Sequence, residues 1–152
     1  MYFAGIDVGS TTTKIVLLNE NDDILCSVLG PTGAEHRSRS EAVLDSACGK
    51  LGIARGDISF TVATGYGRIN VPYADKQITE ITCHAKGVLF FVPDAKSVID
   101  IGGQDCKGIK IRGGKVSDFI MNDKCAAGSG RYLEVMSEAL CVRLEDLGAI
   151  SL

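Results

Sequence analysis

The architecture of the chain is best predicted from the segment Val98-Ile99-Asp100-Ile101-Gly102-Gly103-Gln104-Asp105-Cys106-Lys107. An apolar run ends in a carboxylate, turns through two glycines and reaches a lysine at the start of a second β-like run. The chain opens with the same construction, Gly5-Ile6-Asp7-Val8-Gly9-Ser10-Thr11-Thr12-Thr13-Lys14, and both stretches read D-x-G-x-x-x-x-K with an offset of 93 residues. Such a repeat predicts two related half-units that face one another, with the chemistry where the two turns meet.

The rest of the chain supplies strands and helices around the two turns. Apolar runs and turn residues predict strands at 2–8, 14–18, 24–29, 58–64, 77–81, 97–101, 107–111 and 116–121. Helices are expected from Ser38, whose Ser-x-x-Glu pattern is a capping box, to a stop at Gly52, and over 83–91 and 128–140. Gly113-Gly114 predicts a two-residue hairpin. The order βββαβ(β)α followed by βββα predicts a complete first lobe, 1–95, and the beginning of a second, 96–152.

Composition excludes several classes of protein. A formal net charge of −3 and a pI near 5.3 argue against a protein that binds nucleic acid or an acidic membrane. The sequence has no apolar run of transmembrane length and no signal-peptide pattern, which predicts a cytoplasmic protein. Its six cysteines lack C-x-x-C spacing and are expected to be free thiols.

The two turns suggest phosphate binding. Glycines let backbone N–H groups approach an anion closely, and a carboxylate at a strand end can hold Mg²⁺ through waters. We therefore expect Asp7 and Asp100 to bind magnesium. The predicted phosphate contacts are Gly9, Ser10, Thr11, Thr12, Thr13, Lys14, Gly102 and Gly103. One such turn alone is more often a plain hairpin, and lysine at a strand start is more often a solvated edge residue, but the duplication favours nucleotide binding.

Five motifs together resemble a known family. GIDVGSTTTK and VIDIGGQDCK are similar to the two phosphate motifs of the acetate/sugar kinase, heat-shock and actin superfamily, whose fold is a pair of ribonuclease H-like lobes. VATGYGR (62–68), ADKQITEITCHAKG (74–87) and MNDKCAAGSGRYLEVM (121–136) narrow the resemblance to the ATP-dependent activators of 2-hydroxyacyl-CoA dehydratases, which include the ATPase subunits of benzoyl-CoA reductase. The resemblance implies an α/β, ribonuclease H-like actin-type ATPase fold.

The resemblance also implies a cofactor set and partners. Members of the family are homodimers in which hydrolysis of MgATP to ADP drives a low-potential electron from a shared [4Fe–4S] cluster to an acyl-CoA dehydratase or reductase, with ferredoxin or flavodoxin as donor. Cys125 matches the first cluster ligand. It precedes a helix start, which favours a thiolate, although the residues alone favour a buried thiol. The second family cysteine lies beyond the point that matches Leu152, so we expect this chain to be the N-terminal portion of an activator.

The remaining candidates are polar residues beside the turns. Glu80 matches the position of a catalytic acid in related kinases and phosphatases, and a surface role is about equally expected. Gln104 and Asp105 are placed to orient the attacking water or to bind Mg²⁺, although turn chemistry explains them nearly as well. His84 is expected to be a core or interface histidine. Two other functions stay open, a cluster-free kinase or phosphatase of the superfamily and an inactive lobe that binds a partner.

Overall fold

A computed structural model describes residues 1–122 and 127–151. The chain divides into two units, Met1–Cys83 and His84–Leu152, which are described separately below. The predicted lobes, 1–95 and 96–152, stay a proposal.

The first unit is built on a five-stranded mixed sheet. Its elements are β1 (Tyr2–Val8), β2 (Thr12–Leu18), β3 (Ile24–Pro31), α1 (His36–Leu51), β4 (Ile58–Thr64) and β5 (Lys76–Gln77). The strand order is β3-β2-β1-β4-β5, in which β1 to β3 are antiparallel neighbours and β4 runs parallel to both β1 and β5. The parallel pairing places the ends of β1 and β4 side by side, because Asp7 lies opposite Thr64.

One face of this sheet forms the core. Alternate residues of β1 and β2, among them Ile6, Val8, Ile15 and Leu17, are at most 1% exposed. They pack with buried residues of α1 in a single cluster. Burying an isoleucine or leucine side chain contributes about 1.5–3 kcal/mol, so this cluster anchors β1 and β2 and holds the turn between them.

The boundaries of two helices differ from the prediction. The helix α1 begins at His36, and Ser38 is its third residue, with a hydroxyl that bonds back to Glu35 rather than capping the helix. The capping box was therefore wrong, whereas the predicted stop at Gly52, with φ +66°, is confirmed. The predicted strand 77–81 was also wrong beyond Gln77. The strand β5 ends at that residue, and the helix α2 (Glu80–Phe91) begins at Glu80. A glutamate in the first turn favours a helix start.

The second unit contains a three-stranded antiparallel sheet, β6-β7-β8. Its strands are β6 (Ser97–Ile101), β7 (Cys106–Arg112) and β8 (Lys115–Asn122), and its helices after the sheet are α3 (Gly130–Ala139) and α4 (Leu147–Ile150). The hairpin predicted at Gly113-Gly114 is confirmed, because both glycines have positive φ and Arg112 pairs with Lys115. Of the helices that the structure describes, none is long and apolar enough to cross a membrane.

Candidate functional site

The first turn connects β1 to β2 and carries an ion pair. Asp7 and Lys14 are opposite each other in the strand register, and Lys14 Nζ donates to Asp7 Oδ2 at 3.0 Å. Inside the turn, the Gly9 N–H donates to the Thr12 carbonyl at 3.0 Å. Both charged side chains remain accessible, with exposed fractions of 47% for Lys14 and 23% for Asp7. The pair is therefore open to an incoming anion or cation.

The hydroxyls of this turn divide into two groups. Ser10 and Thr11 are exposed, whereas Thr13 is fully buried. The Thr32 hydroxyl donates to the Gly9 carbonyl at 2.9 Å, and the Thr13 and Thr32 hydroxyl oxygens are 3.0 Å apart. Since the Thr32 proton is already used, Thr13 donates to Thr32. The structure thus gives Thr13 a bracing position inside the unit and leaves Ser10 and Thr11 at the surface.

Thr32 is a residue that the sequence analysis missed. Its backbone N–H also donates to the Thr11 carbonyl at 3.0 Å, so one residue holds both sides of the turn. The sequence 31–33, Pro-Thr-Gly, indicated only a chain break, and nothing local in it points to a residue 23 positions away.

Gly65 forms the surface against which Asp7 lies. It follows β4 directly and has φ +85°. A Cβ built on Gly65 would overlap Asp7 Oδ1 and would lie 2.5 Å from the Val8 carbonyl oxygen. The Gly67 N–H donates to that same carbonyl at 2.8 Å. Only glycine combines this φ with this close approach, so Gly65 determines where the Asp7 carboxylate sits.

The second turn repeats the construction of the first. Asp100 pairs with Lys107 in the β6–β7 register, as Asp7 pairs with Lys14. The Gly102 N–H donates to the Asp105 carbonyl at 2.9 Å, which is the bond that Gly9 makes in the first turn. The duplication predicted from the sequence is therefore present in strand register and in hydrogen bonding, within each unit separately.

The ion pairs of the second turn are more buried and more numerous. Lys107 is 3% exposed, and its Nζ lies 2.7 Å from Asp105 Oδ2 and 3.4 Å from Asp100 Oδ2. His84, on α2, brings its Nδ1 to 2.9 Å from the same Asp100 oxygen. The hydrogen bond from His84, followed by the charges of His84 and Lys107, holds the pKa of Asp100 below its ordinary value despite partial burial. Asp100 is consequently ionised at neutral pH.

The second turn is also joined to the start of α3. The N–H groups of Gly130 and Arg131 donate to the carbonyls of Gly102 and Gly103 at 2.8 and 2.9 Å. A Cβ on Gly130 would lie 3.2 Å from the Gly102 oxygen, closer than most side chains come. These two helix N–H groups are thus used by the protein, and they fix the backbone of the turn.

The other predicted site residues are scattered around these turns. Gln104 is exposed at the tip of the second turn, and Glu80 begins α2 with a partly exposed side chain. Cys125 lies outside the described residues. Within 1–122 and 127–151, no group of three or more His, Cys, Asp or Glu side chains is arranged to hold a metal ion. Mg²⁺ usually keeps several waters and takes only one or two carboxylates together with phosphate oxygens, so a group of three side chains is not a requirement for that ion.

A family model described as the BadF/BadG/BcrA/BcrD ATPase family matches residues 4–152. The 2-hydroxyisocaproyl-CoA dehydratase activator of Clostridioides difficile is 48% identical over 155 residues, which cover 100% of this chain and 57% of that protein. The activator of lactoyl-CoA dehydratase from Anaerotignum propionicum is 49% identical over 152 residues, 99% of this chain and 58% of that protein.

A solved structure agrees with these sequence matches. The activator of the 2-hydroxyisocaproyl-CoA dehydratase from Clostridium difficile, with bound ADPNP, superposes with a TM-score of 0.90 at 49% identity, covering 99% of this chain and 56% of that one. The predicted α/β actin-type ATPase fold is confirmed. The chain spans a little over half the length of the curated relatives it matches.

Proposed function

Because the chain belongs to the BadF/BadG/BcrA/BcrD ATPase family, we propose that it is the nucleotide-binding part of an ATP-dependent activator of an acyl-CoA dehydratase or related acyl-CoA reductase. Hydrolysis of MgATP to ADP and phosphate is coupled to the transfer of one low-potential electron to the partner enzyme. A [4Fe–4S] cluster, shared by two copies of the chain, would supply this electron.

The observation that carries this proposal is the pair of equivalent turns. Each has an aspartate at a strand end, a lysine in register with it, and a glycine N–H that closes the turn onto a carbonyl three residues ahead. A single turn of this kind is ordinary hairpin chemistry, whereas a duplicated one supplies charged groups and backbone N–H groups twice. The relative solved with ADPNP has the same fold at 49% identity, which supports ATP as the nucleotide.

In the first turn, the exposed groups are the ones we assign to phosphate. Ser10 and Thr11 offer surface hydroxyls, and Lys14 is half exposed and can turn its ammonium from Asp7 to a phosphate oxygen. The buried hydroxyl pair Thr13 and Thr32 keeps the Gly9 carbonyl in place, so the turn is already shaped before a ligand arrives.

Asp7 and Asp100 are the proposed magnesium carboxylates. Mg²⁺ retains several waters and usually takes one or two carboxylates together with substrate phosphates. Both aspartates lie one residue before the end of a strand, are about one-fifth exposed and have a lysine ammonium within 3.4 Å. We assign Gln104, exposed beside Gly103, to orienting the attacking water, and Glu80 to the catalytic acid position that the family resemblance implies.

Cys125 is the proposed cluster ligand of this chain. A [4Fe–4S] cluster, when bound, supplies a one-electron donor whose potential depends on its cysteine thiolates and on burial. Within the described residues no group of three or more His, Cys, Asp or Glu side chains is arranged to hold a metal ion, so the cluster proposal rests on Cys125 and on the second cysteine that the family resemblance implies. We further propose a homodimer, a ferredoxin or flavodoxin as electron donor, and a cytoplasmic location.

Anaerobic purification of the whole protein tests the iron proposal. We expect a brown protein whose iron content and visible absorption are lost in Cys125→Ala. Cys141→Ala is the matched control, because Cys141 is an exposed free thiol that the proposal does not use. A colourless wild-type protein that phosphorylates a sugar would instead identify a cluster-free kinase of the same fold.

Nucleotide hydrolysis tests the other half of the proposal. Asp100→Asn removes the proposed metal charge with little change of shape, and we expect MgATP hydrolysis to fall by about 10²-fold or more. Asp94→Asn, in the exposed turn before β6, should leave hydrolysis unchanged. Equal rates in the two variants would exclude Asp100 from the metal site.

A further inference from the structure

The two turns differ in how their lysines are used. In the first turn, Lys14 lies 3.0 Å from Asp7, and Thr12 stands at the position where the second turn has Asp105. In the second turn, Lys107 lies closer to Asp105, at 2.7 Å, than to Asp100, at 3.4 Å. The extra carboxylate therefore draws the second lysine away from the residue that corresponds to Asp7.

His84 supplies the close donor that Asp100 would otherwise have from its lysine. Its Nδ1 lies 2.9 Å from Asp100 Oδ2, within the normal range of an N–H···O bond, whereas 3.4 Å to Lys107 is beyond that range. The imidazole projects from the helix α2 and is about one-third exposed. A helix holds a side chain more precisely than a loop does, so the bond restrains the orientation of the carboxylate.

We propose that His84 is the positioning residue of the second turn: its imidazole Nδ1–H holds Asp100 so that the carboxylate meets the hydrated magnesium ion of the bound nucleotide. The inference rests on the proposed function and names a residue role within that site. Both His84 and Lys107 approach Oδ2, so we assign Oδ1 as the oxygen that would accept a hydrogen bond from a water of the hydrated ion. Donors to a metal-bound carboxylate fix its direction in many proteins, and their loss typically weakens metal affinity 10- to 100-fold.

Calorimetric titration of the whole protein with ADP at a series of Mg²⁺ concentrations tests the role. In His84→Ala we expect the Mg²⁺ concentration for half-maximal ADP binding to rise about tenfold or more. ADP affinity in excess EDTA should not change, because no metal is then positioned. A loss of ADP affinity that is equal with and without Mg²⁺ would mean a general structural role and would overturn the proposal.

Two conservative substitutions of His84 show whether the position of the donor nitrogen or only the size of the side chain matters. The amide nitrogen of His84→Asn can occupy the place of Nδ1, whereas that of His84→Gln corresponds to Nε2. We expect the Mg²⁺ dependence of His84→Asn to return to within about threefold of wild type and that of His84→Gln to resemble the alanine variant. The reverse order would contradict a bond made through Nδ1.

The histidine proton gives a readout that is independent of nucleotide. The chain has two histidines, so ¹⁵N imidazole spectra can be assigned with His36→Asn as the matched control. We expect a proton on His84 Nδ1, which disappears in His84→Asn and persists in His36→Asn. An unprotonated Nδ1 would overturn the proposal.

The outcomes separate this inference from the proposed function. Wild-type protein that binds no Mg²⁺–nucleotide would overturn both. Wild-type binding with a magnesium dependence that His84→Ala leaves unchanged would overturn the role of His84 alone.

Discussion

Replacing Gly65 by alanine tests whether the end of β4 determines the position of Asp7. Gly65 has φ +85°, and a Cβ there would lie 2.5 Å from the Val8 carbonyl oxygen and would overlap Asp7 Oδ1. An L-residue in the left-handed region costs about 1–2 kcal/mol, and forcing an extra carbon into packed structure typically costs about 1–3 kcal/mol more. The expected loss of unfolding free energy for Gly65→Ala is therefore about 2–5 kcal/mol.

Gly52→Ala is the matched control. Gly52 ends α1 with φ +66°, and a Cβ on it would meet no atom within 4 Å. Its expected cost is the backbone strain alone, about 1–2 kcal/mol. Both variants are compared with wild type by urea unfolding, and MgADP affinity is measured under conditions where all three are folded.

We expect MgADP affinity to fall in Gly65→Ala and to stay unchanged in Gly52→Ala, because only the first substitution displaces the Asp7 carboxylate. Equal destabilisation by the two substitutions would refute the close-approach argument. Normal MgADP affinity in Gly65→Ala, together with the expected destabilisation, would refute the role of Asp7 in nucleotide binding.

Three further predictions concern the groups that hold the turns. Lys107→Ala removes the ammonium that pairs with the largely buried Asp105 carboxylate and should cost about 3–5 kcal/mol of unfolding free energy. Lys14→Ala, at a half-exposed pair, should cost at most about 1 kcal/mol. Equal losses of unfolding free energy in urea would contradict the burial argument. Thr32→Val removes the hydroxyl that donates to the Gly9 carbonyl and should lower the free energy of unfolding by about 1–3 kcal/mol. Amide hydrogen exchange in that turn should become faster, and slower exchange would contradict the prediction. The hydrogen bond from His84 holds the folded pKa of Asp100 below its ordinary, unfolded value, so the contribution of Asp100 to stability is present above the unfolded pKa and is lost as pH falls through the folded pKa. In EDTA, acid unfolding curves of wild type and Asp100→Asn should accordingly converge at low pH and diverge above it.

The strands could be predicted because their signal is local. The predicted strands 2–8, 58–64 and 97–101 have the bounds found in β1, β4 and β6. Alternating or continuous apolar runs with glycine at their ends are sufficient evidence for such segments. The start of α1 could not be predicted in the same way, since Ser38 fits a capping box in sequence while its hydroxyl bonds to Glu35 in the structure.

Only those features of the site that lie within a few residues of each other in the sequence could be predicted. The repeat placed each aspartate opposite its lysine, and the strand register agrees. The expectation of a solvated lysine fits Lys14 and is wrong for Lys107, which is 3% exposed, because burial depends on what packs over the strand. His84 lies 16 positions before Asp100 and on a different element, so its bond to that carboxylate has no signature in the sequence.

Lys14 and Lys107 occupy the same position of the repeated motif but differ in burial, so we expect Lys14 to serve ligand binding and Lys107 to serve stability. Lys14 is accessible and has a single carboxylate partner, so an arriving phosphate can take its charge at the small cost of an exposed ion pair. Lys107 is buried between two carboxylates, so moving it would take the ion-pair partner from Asp105 and leave Asp100 with His84 alone, at a far greater cost. Substitution of Lys14 should therefore weaken nucleotide binding more than stability, and substitution of Lys107 should do the opposite. If binding and stability fell in parallel for both lysines, the two turns would have to be regarded as functionally equal despite their different burial.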